Sequence, residues 1–210
     1  MSWTEVMKKF TKPILLLIIF IVTNAVGCSS QKIDPLLEGN SECSPPCWVS
    51  ITPGLTTKSE ADDIAIKLEG KQNYSSGEND IYVKYAGKQI HIYSNDADKI
   101  VTEIDSDLVG TSLEQLISKF GNPEYLSIML DQGCVFIIYY PDKGVNFLGQ
   151  CKKAGLAENG WTVSPSSTVT RAFFTRPGLK ITDLLILFFD ETSKEMMDAI
   201  NLWKGYGTYQ

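Results

Sequence analysis

The chain has 210 residues, 43% of them hydrophobic, with 19 basic against 25 acidic side chains and a net charge of −6. That is a length for one domain or two small ones, with apolar content enough for a core. The acidity argues against nucleic acid as a partner, since phosphate binding needs a basic surface.

Lys8, Lys9 and Lys12 come first, followed by a dense apolar run from Ile14 to Val22 and by Ala25-Val26-Gly27-Cys28. A basic segment before a short apolar run has the order of a secretory signal, and the run falls well short of the roughly 20 apolar residues that a bilayer-spanning helix needs. Residues 1–27 are therefore predicted to be a removed signal peptide. Their loss takes away three lysines and one glutamate, leaving 16 basic against 24 acidic side chains and a net charge of −8. No polybasic stretch follows Cys28, so anionic lipid would not hold so acidic a chain by charge alone. The Ala25-Val26-Gly27-Cys28 sequence resembles the lipobox of bacterial lipoproteins. That resemblance implies lipidation at Cys28, membrane attachment through the lipid, and a position on the extracytoplasmic side of the cell membrane or outer envelope. Ordinary secretion with cleavage near Gly27, or an uncleaved N-terminal anchor, are the alternatives.

Residues 28–42 are polar and read as a tether. Thr57-Lys58-Ser59-Glu60 is a capping-box signature that opens a helix to about Leu68, with Ala61, Ile64, Ala65 and Leu68 on one face. Strands are predicted at Ile81–Tyr85, Gln89–Tyr93 and Lys99–Ile104. A second short helix is capped within Gly110-Thr111-Ser112-Leu113-Glu114. Its apolar set Leu113, Leu116, Ile117 and Phe120 follows the first at an offset of 52 residues, and Gly121-Asn122-Pro123 stops it. Strands follow at Tyr125–Leu130, Cys134–Tyr140 and Val145–Cys151. Asn159 to Ser167 reads as a loop and Thr168–Thr175 as a strand; Leu184 to Phe189 is too uniformly apolar for periodicity to decide between helix and buried strand, and Thr182-Asp183 before it favours a helix. The Met196, Met197, Ile200, Trp203 set suggests another helix, and the aromatic tail is expected to pack across the domain. The fold class is α+β: short helices on an antiparallel β-meander. Helix then meander, twice, points to two tandem repeats, 43–108 and 109–210, the second with a C-terminal strand and helices.

With Cys28 assigned to lipid, four cysteines remain: Cys43, Cys47, Cys134 and Cys151. An even number in an exported chain points to two disulfides. Pro141-Asp142-Lys143-Gly144 is a strong turn signal. If Tyr140 pairs with Val145, Cys134 falls opposite Cys151 across a hairpin, close enough for a bridge. By elimination Cys43 pairs with Cys47, and a Cys-x-x-x-Cys spacing is not the Cys-x-x-Cys redox motif. The only histidine, His91, alternates with Ile90 and Ile92 in a strand-like run and reads as a surface residue. No metal or cofactor is implied.

Val109-Gly110-Thr111-Ser112-Leu113-Glu114-Gln115-Leu116-Ile117-Ser118-Lys119-Phe120-Gly121-Asn122-Pro123 resembles the Gly-x-Thr, helix, Leu/Phe-Gly-x-Pro signature of SmpA/OmlA-type envelope lipoproteins. That resemblance implies two short helices on an antiparallel meander, an arrangement shared with β-lactamase inhibitor proteins, where it occurs in tandem. The segment from Cys43 through Trp48 to Thr56 also looks like uncharacterised bacterial lipoproteins. These relatives imply location and fold, with no reaction.

The function expected is a non-catalytic envelope module that binds or scaffolds a protein partner, with Tyr82, Tyr93, Tyr139 and Tyr206 as candidate exposed aromatics. The alternative is a small-ligand-binding or hydrolytic envelope protein using Glu103, Asp105 and Asp107, although alternating acids beside a strand normally form a solvated face. The chain has no Gly-x-Ser-x-Gly elbow, no His-Glu-x-x-His and no phosphate-cradling glycine loop.

Overall fold

Alternating apolar residues build one large sheet. The computed structural model describes residues 33–39, 43–129, 134–153, 161–189 and 197–209. The signal segment and Cys28 lie outside the described residues. In chain order the helices are α1 (Pro35–Glu38), α2 (Lys58–Glu69), α3 (Leu113–Phe120) and α4 (Ile181–Phe189). The first strands are β1 (Tyr74–Ser76), β2 (Asp80–Tyr85), β3 (Lys88–Ser94), β4 (Val101–Ser112), β5 (Tyr125–Met129), β6 (Val135–Tyr140) and β7 (Val145–Gln150). They are followed by β8 (Lys152–Lys153), β9 (Trp161–Val163), β10 (Thr168–Thr175), β11 (Ile200–Leu202) and β12 (Gly207–Tyr209).

Nine strands form an antiparallel sheet in the order β1-β2-β3-β4-β10-β7-β6-β5-β11, and β12-β9-β8 form a small second sheet. The fold is thus α+β, with short helices on a large antiparallel meander. The first face of the large sheet carries the main core. Ile81, Ile90, Ile92, Ile104, Phe136, Phe147 and Phe174 pack there with Ala61 and Ala65 of α2, Leu113 and Leu116 of α3, and Leu37, Trp48 and Ile51. On the second face α4 covers one half of the sheet, its Leu184 packing with Ile137 and Tyr139 and its Phe188 against the same cluster.

Helices α2 and α3 end alike. Thr57 and Ser112 each close a full capping box, with Glu60 and Gln115 as the reciprocal partners. Gly70 and Gly121 stop the helices at positive φ, 68° and 80°, each donating its N–H to the carbonyl of an isoleucine four residues earlier, Ile66 or Ile117. The cap of α3 is therefore Ser112, while Thr111 is the buried penultimate residue of β4.

Both disulfides form. Cys43 and Cys47 are bridged with Cα atoms 5.2 Å apart, and Cys134 and Cys151 with Cα atoms 5.4 Å apart. The β6–β7 hairpin keeps one register from Val135↔Gln150 to Tyr140↔Val145. Its turn is a short 3-10 segment closed by Gly144 at φ 63°.

Several expectations are corrected. The third strand does not stop at Ile104 but runs through Ser112, because β10 pairs along it as far as Thr168↔Ser112. The stretch expected as a loop contains β9, which finds partners in β8 and β12. Residues 200–202 are a strand: Ile200, Asn201 and Leu202 pair with Ser127, Leu126 and Tyr125, which cover an otherwise open sheet edge. The apolar spacing that suggested a helix there fits a short edge strand equally well. Ile33 to Gly39, expected within the polar tether 28–42, belong to the folded unit. Asp34 caps α1 through Leu36 N at 3.0 Å, accepts from Val109 N at 3.2 Å and forms a buried ion pair with Lys88, while Leu37 lies in the core.

Candidate functional site

The half of the second face that lies over β2, β3, β4 and β10 carries the polar residues. Pairing register places Tyr82, His91, Asp105, Phe173, Asn146, Tyr139 and Tyr125 in one cross-strand row. A second row contains Asp80, Tyr93, Glu103 and Thr175. Arg171 pairs with Asp107 one step further along β4 and β10. Side chains two apart on a strand share a face, so Glu103, Asp105 and Asp107 stand on the same side of β4. Irregularities frame the rows: the extra residue Thr102 in β4 opposite β3, and a register shift between Val169 and Arg171 in β10.

The rings form a continuous stack. Tyr82 lies on His91 at 3.7 Å between centroids, and His91 meets Tyr93 at 3.8 Å. His91 is therefore half-buried between two tyrosines rather than a plain surface residue. Its Nε2 lies 3.7 Å from Asp80 Oδ2 and has no hydrogen-bond partner. Burial holds its pKa below the usual imidazole value against the opposing pull of Asp80.

The acids are not a solvated face. Glu103 is 6% exposed and Asp105 3%; only Asp107 is open to solvent. Burial pushes Glu103 up to about 8, with Asp105 adding repulsion and Arg171 offsetting part of it. Burial also raises Asp105 to about 6, against the attraction of Arg171. Arg171 donates through Nη2 to Asp105 Oδ2 at 2.5 Å, reaches toward Asp107 Oδ1 at 3.7 Å, and lies over the Phe173 ring at 5.7 Å. Asp105 Oδ1 and Asn146 Oδ1 are buried without a hydrogen-bond partner. Tyr93, beside both acids, is pushed up to about 12, first by burial and then by their charge.

The expected aromatics divide. Tyr82 and Tyr93 stand on this open half-face, Tyr93 being 36% exposed. Tyr139 is not exposed at all: it lies under α4, its hydroxyl 3.0 Å from Ser127 Oγ. Tyr206 is exposed but sits against Trp203, in the C-terminal segment. Sequence reasoning missed Arg171, Phe173, Asp80 and Asn146. The alternation Arg171-x-Phe173-x-Thr175 was available, yet its pairing with β4 joins residues 66 apart in sequence, which no local pattern reveals.

No family model, curated protein or solved structure matches the chain.

Chemically, the half-face offers π faces, one exposed arginine and carboxyl groups whose charges are only partly neutralised. Tyr82, Lys84, Gln89 and Asp107 also line an open depression of about 650 Å³ on the β1–β3 side. Among the described residues no group of His, Cys, Asp and Glu is arranged to hold a metal ion, and no helix is long and apolar enough to cross a membrane.

Proposed function

We propose that the protein is a lipid-anchored, extracytoplasmic module of the bacterial envelope that binds a protein partner without catalysis, using the open half of the second sheet face. The observation that carries this reading is the stacked Tyr82–His91–Tyr93 platform beside Glu103, Asp105 and Arg171. Aromatic residues and arginine are enriched where proteins meet. The signal-like N-terminus, Cys28 and the two disulfides support an exported, membrane-held protein.

The chain also reads as a tandem duplication of 43–108 and 109–210. Each half has a capped helix with a glycine stop followed by an antiparallel meander, and β10 pairs at the middle of the sheet with β4, which runs across the boundary between the halves. This agrees with the resemblance to SmpA/OmlA-type lipoproteins.

A hydrolytic alternative draws on Glu103, whose raised pKa keeps it protonated at neutral pH and so able to serve as a general acid. The ion pair of the neighbouring Asp105 with Arg171 favours a binding role for the pair.

The anchor is tested by Cys28→Ala. That variant should leave the membrane fraction or stall before processing; unchanged mass and fractionation would overturn lipidation. Photo-crosslinking from the Tyr82 and Tyr93 positions in native membranes tests the partner.

A further inference from the structure

We propose that the acidic and aromatic half-face is a receptor for a basic side chain, and that the partner presents an arginine or lysine which docks beside Asp105. The inference rests on the protein-binding reading of this face and specifies the chemistry of what binds.

One buried acceptor at the open half-face lacks a donor. Asp105 is 3% exposed; its Oδ2 receives Arg171, while its Oδ1 receives nothing. Buried polar groups are normally hydrogen-bonded. An unpaired acceptor on a buried carboxylate calls for a donor, and most strongly for a charged one.

The surrounding groups select the same sign. Asp80, Asp105 and Asp107 supply the negative charge along the rows, Glu103 being protonated at neutral pH, with Arg171 as the cation in direct contact and Lys84 further along β2. Tyr82 and Tyr93, stacked on either side of His91, add ring faces. Ring faces attract cations and repel anions. The predicted mature chain has a net charge of −8, by 16 basic against 24 acidic residues, so long-range attraction also favours a basic partner.

Arg171 demonstrates the mode. Its guanidinium combines a carboxylate, Asp105, with a ring face, Phe173, and retains a second acid, Asp107. An incoming guanidinium or ammonium would take Asp105 Oδ1 while Arg171 keeps Oδ2 and Asp107. Arg171, 46% exposed in its side chain, and the exposed Tyr93 flank Asp105 at the rim.

The test titrates the folded protein with a short glycine–serine peptide carrying one central arginine, followed by NMR, beside the same peptide with neutral, isosteric citrulline. Saturable shifts are expected at Tyr82, His91, Tyr93 and Phe173 with the arginine peptide, and binding at least about tenfold weaker with citrulline, since a charge-assisted hydrogen bond is roughly twice as strong as a neutral one. Asp105→Asn should weaken the arginine peptide by a similar factor, whereas Asp63→Asn on the exposed side of α2 should not. The citrulline comparison needs no protein variant and decides the matter even if Asp105→Asn fails to fold. Equal binding of both peptides, or shifts spread over α2 and other acidic surfaces, would overturn the proposal. A partner crosslinked at this face that binds the protein unchanged after its basic residues are neutralised would overturn the basic-side-chain inference alone. Arginine-selective binding with no crosslinked partner would overturn the protein-binding reading and keep the cation site.

Discussion

Glu103 and Asp105 stand two residues apart on β4, both buried, and both hold their protons to higher pH than exposed carboxyls do. The physical cause is loss of water around the charge, and the same cause links them to stability. In the unfolded chain Glu103 ionises near 4.5; in the folded protein it does so near 8. Its contribution to stability is therefore fully present below 4.5 and is lost as pH rises through about 8. Asp105 acts in the same direction over the lower window from 3.8 to about 6. Glu103→Gln keeps the shape and removes the charge. It should flatten the fall in stability between about pH 5 and about pH 9 and leave the variant more stable than the parent at the alkaline end, by a few kcal/mol. Urea unfolding across that range checks this; the same pH slope in both proteins would contradict it. None of this was legible in the sequence, where Glu103-x-Asp105-x-Asp107 has the alternation of a solvated strand edge. What buries the acids is the partner strand β10, whose Arg171 and Phe173 come from far along the chain.

At the scale of elements, local chemistry was a good guide. The capping residues placed α2, and Gly121-Asn122-Pro123 placed the end of α3. The Pro141–Gly144 turn fixed the hairpin register and with it the Cys134–Cys151 bridge. The failures share one origin. Strand β9, the far half of β4 and edge strand β11 exist because distant strands pair with them, and their own residues carry weak or ambiguous periodicity. Gly149 in β7 shows a packing demand that its sequence position conceals. A Cβ there would lie 2.3 Å from Phe136 Cζ and 2.7 Å from the Thr168 carbonyl oxygen, so β10 and the Phe136 ring approach the strand because it has no side chain at that point. Gly149→Ala should cost about 1–3 kcal/mol by overpacking, with the loss seen as a lower denaturation midpoint and little change in slope. A midpoint equal to the parent's would show that β7 and β10 are free to separate.

For the whole molecule, the two faces of one sheet are built differently. The first face is filled by α1, α2, α3 and the Trp48 segment, and it gives the fold its core. The second is divided: α4 buries the half over Ile137 and Tyr139, and the other half keeps its stacked rings and acids. An anchor at Cys28 would hold that half-face in the envelope, in reach of a partner that shares the compartment. The central claim is that this half-face is where the partner binds. Its most direct test places a photo-crosslinking amino acid at Tyr93 in the full-length protein in its native membranes, with Asp63 on α2 as the comparison position. Crosslinking from position 93 to one defined protein, and its absence from position 63, is the predicted result; no protein adduct at 93, or the same adducts at both positions, would contradict the account.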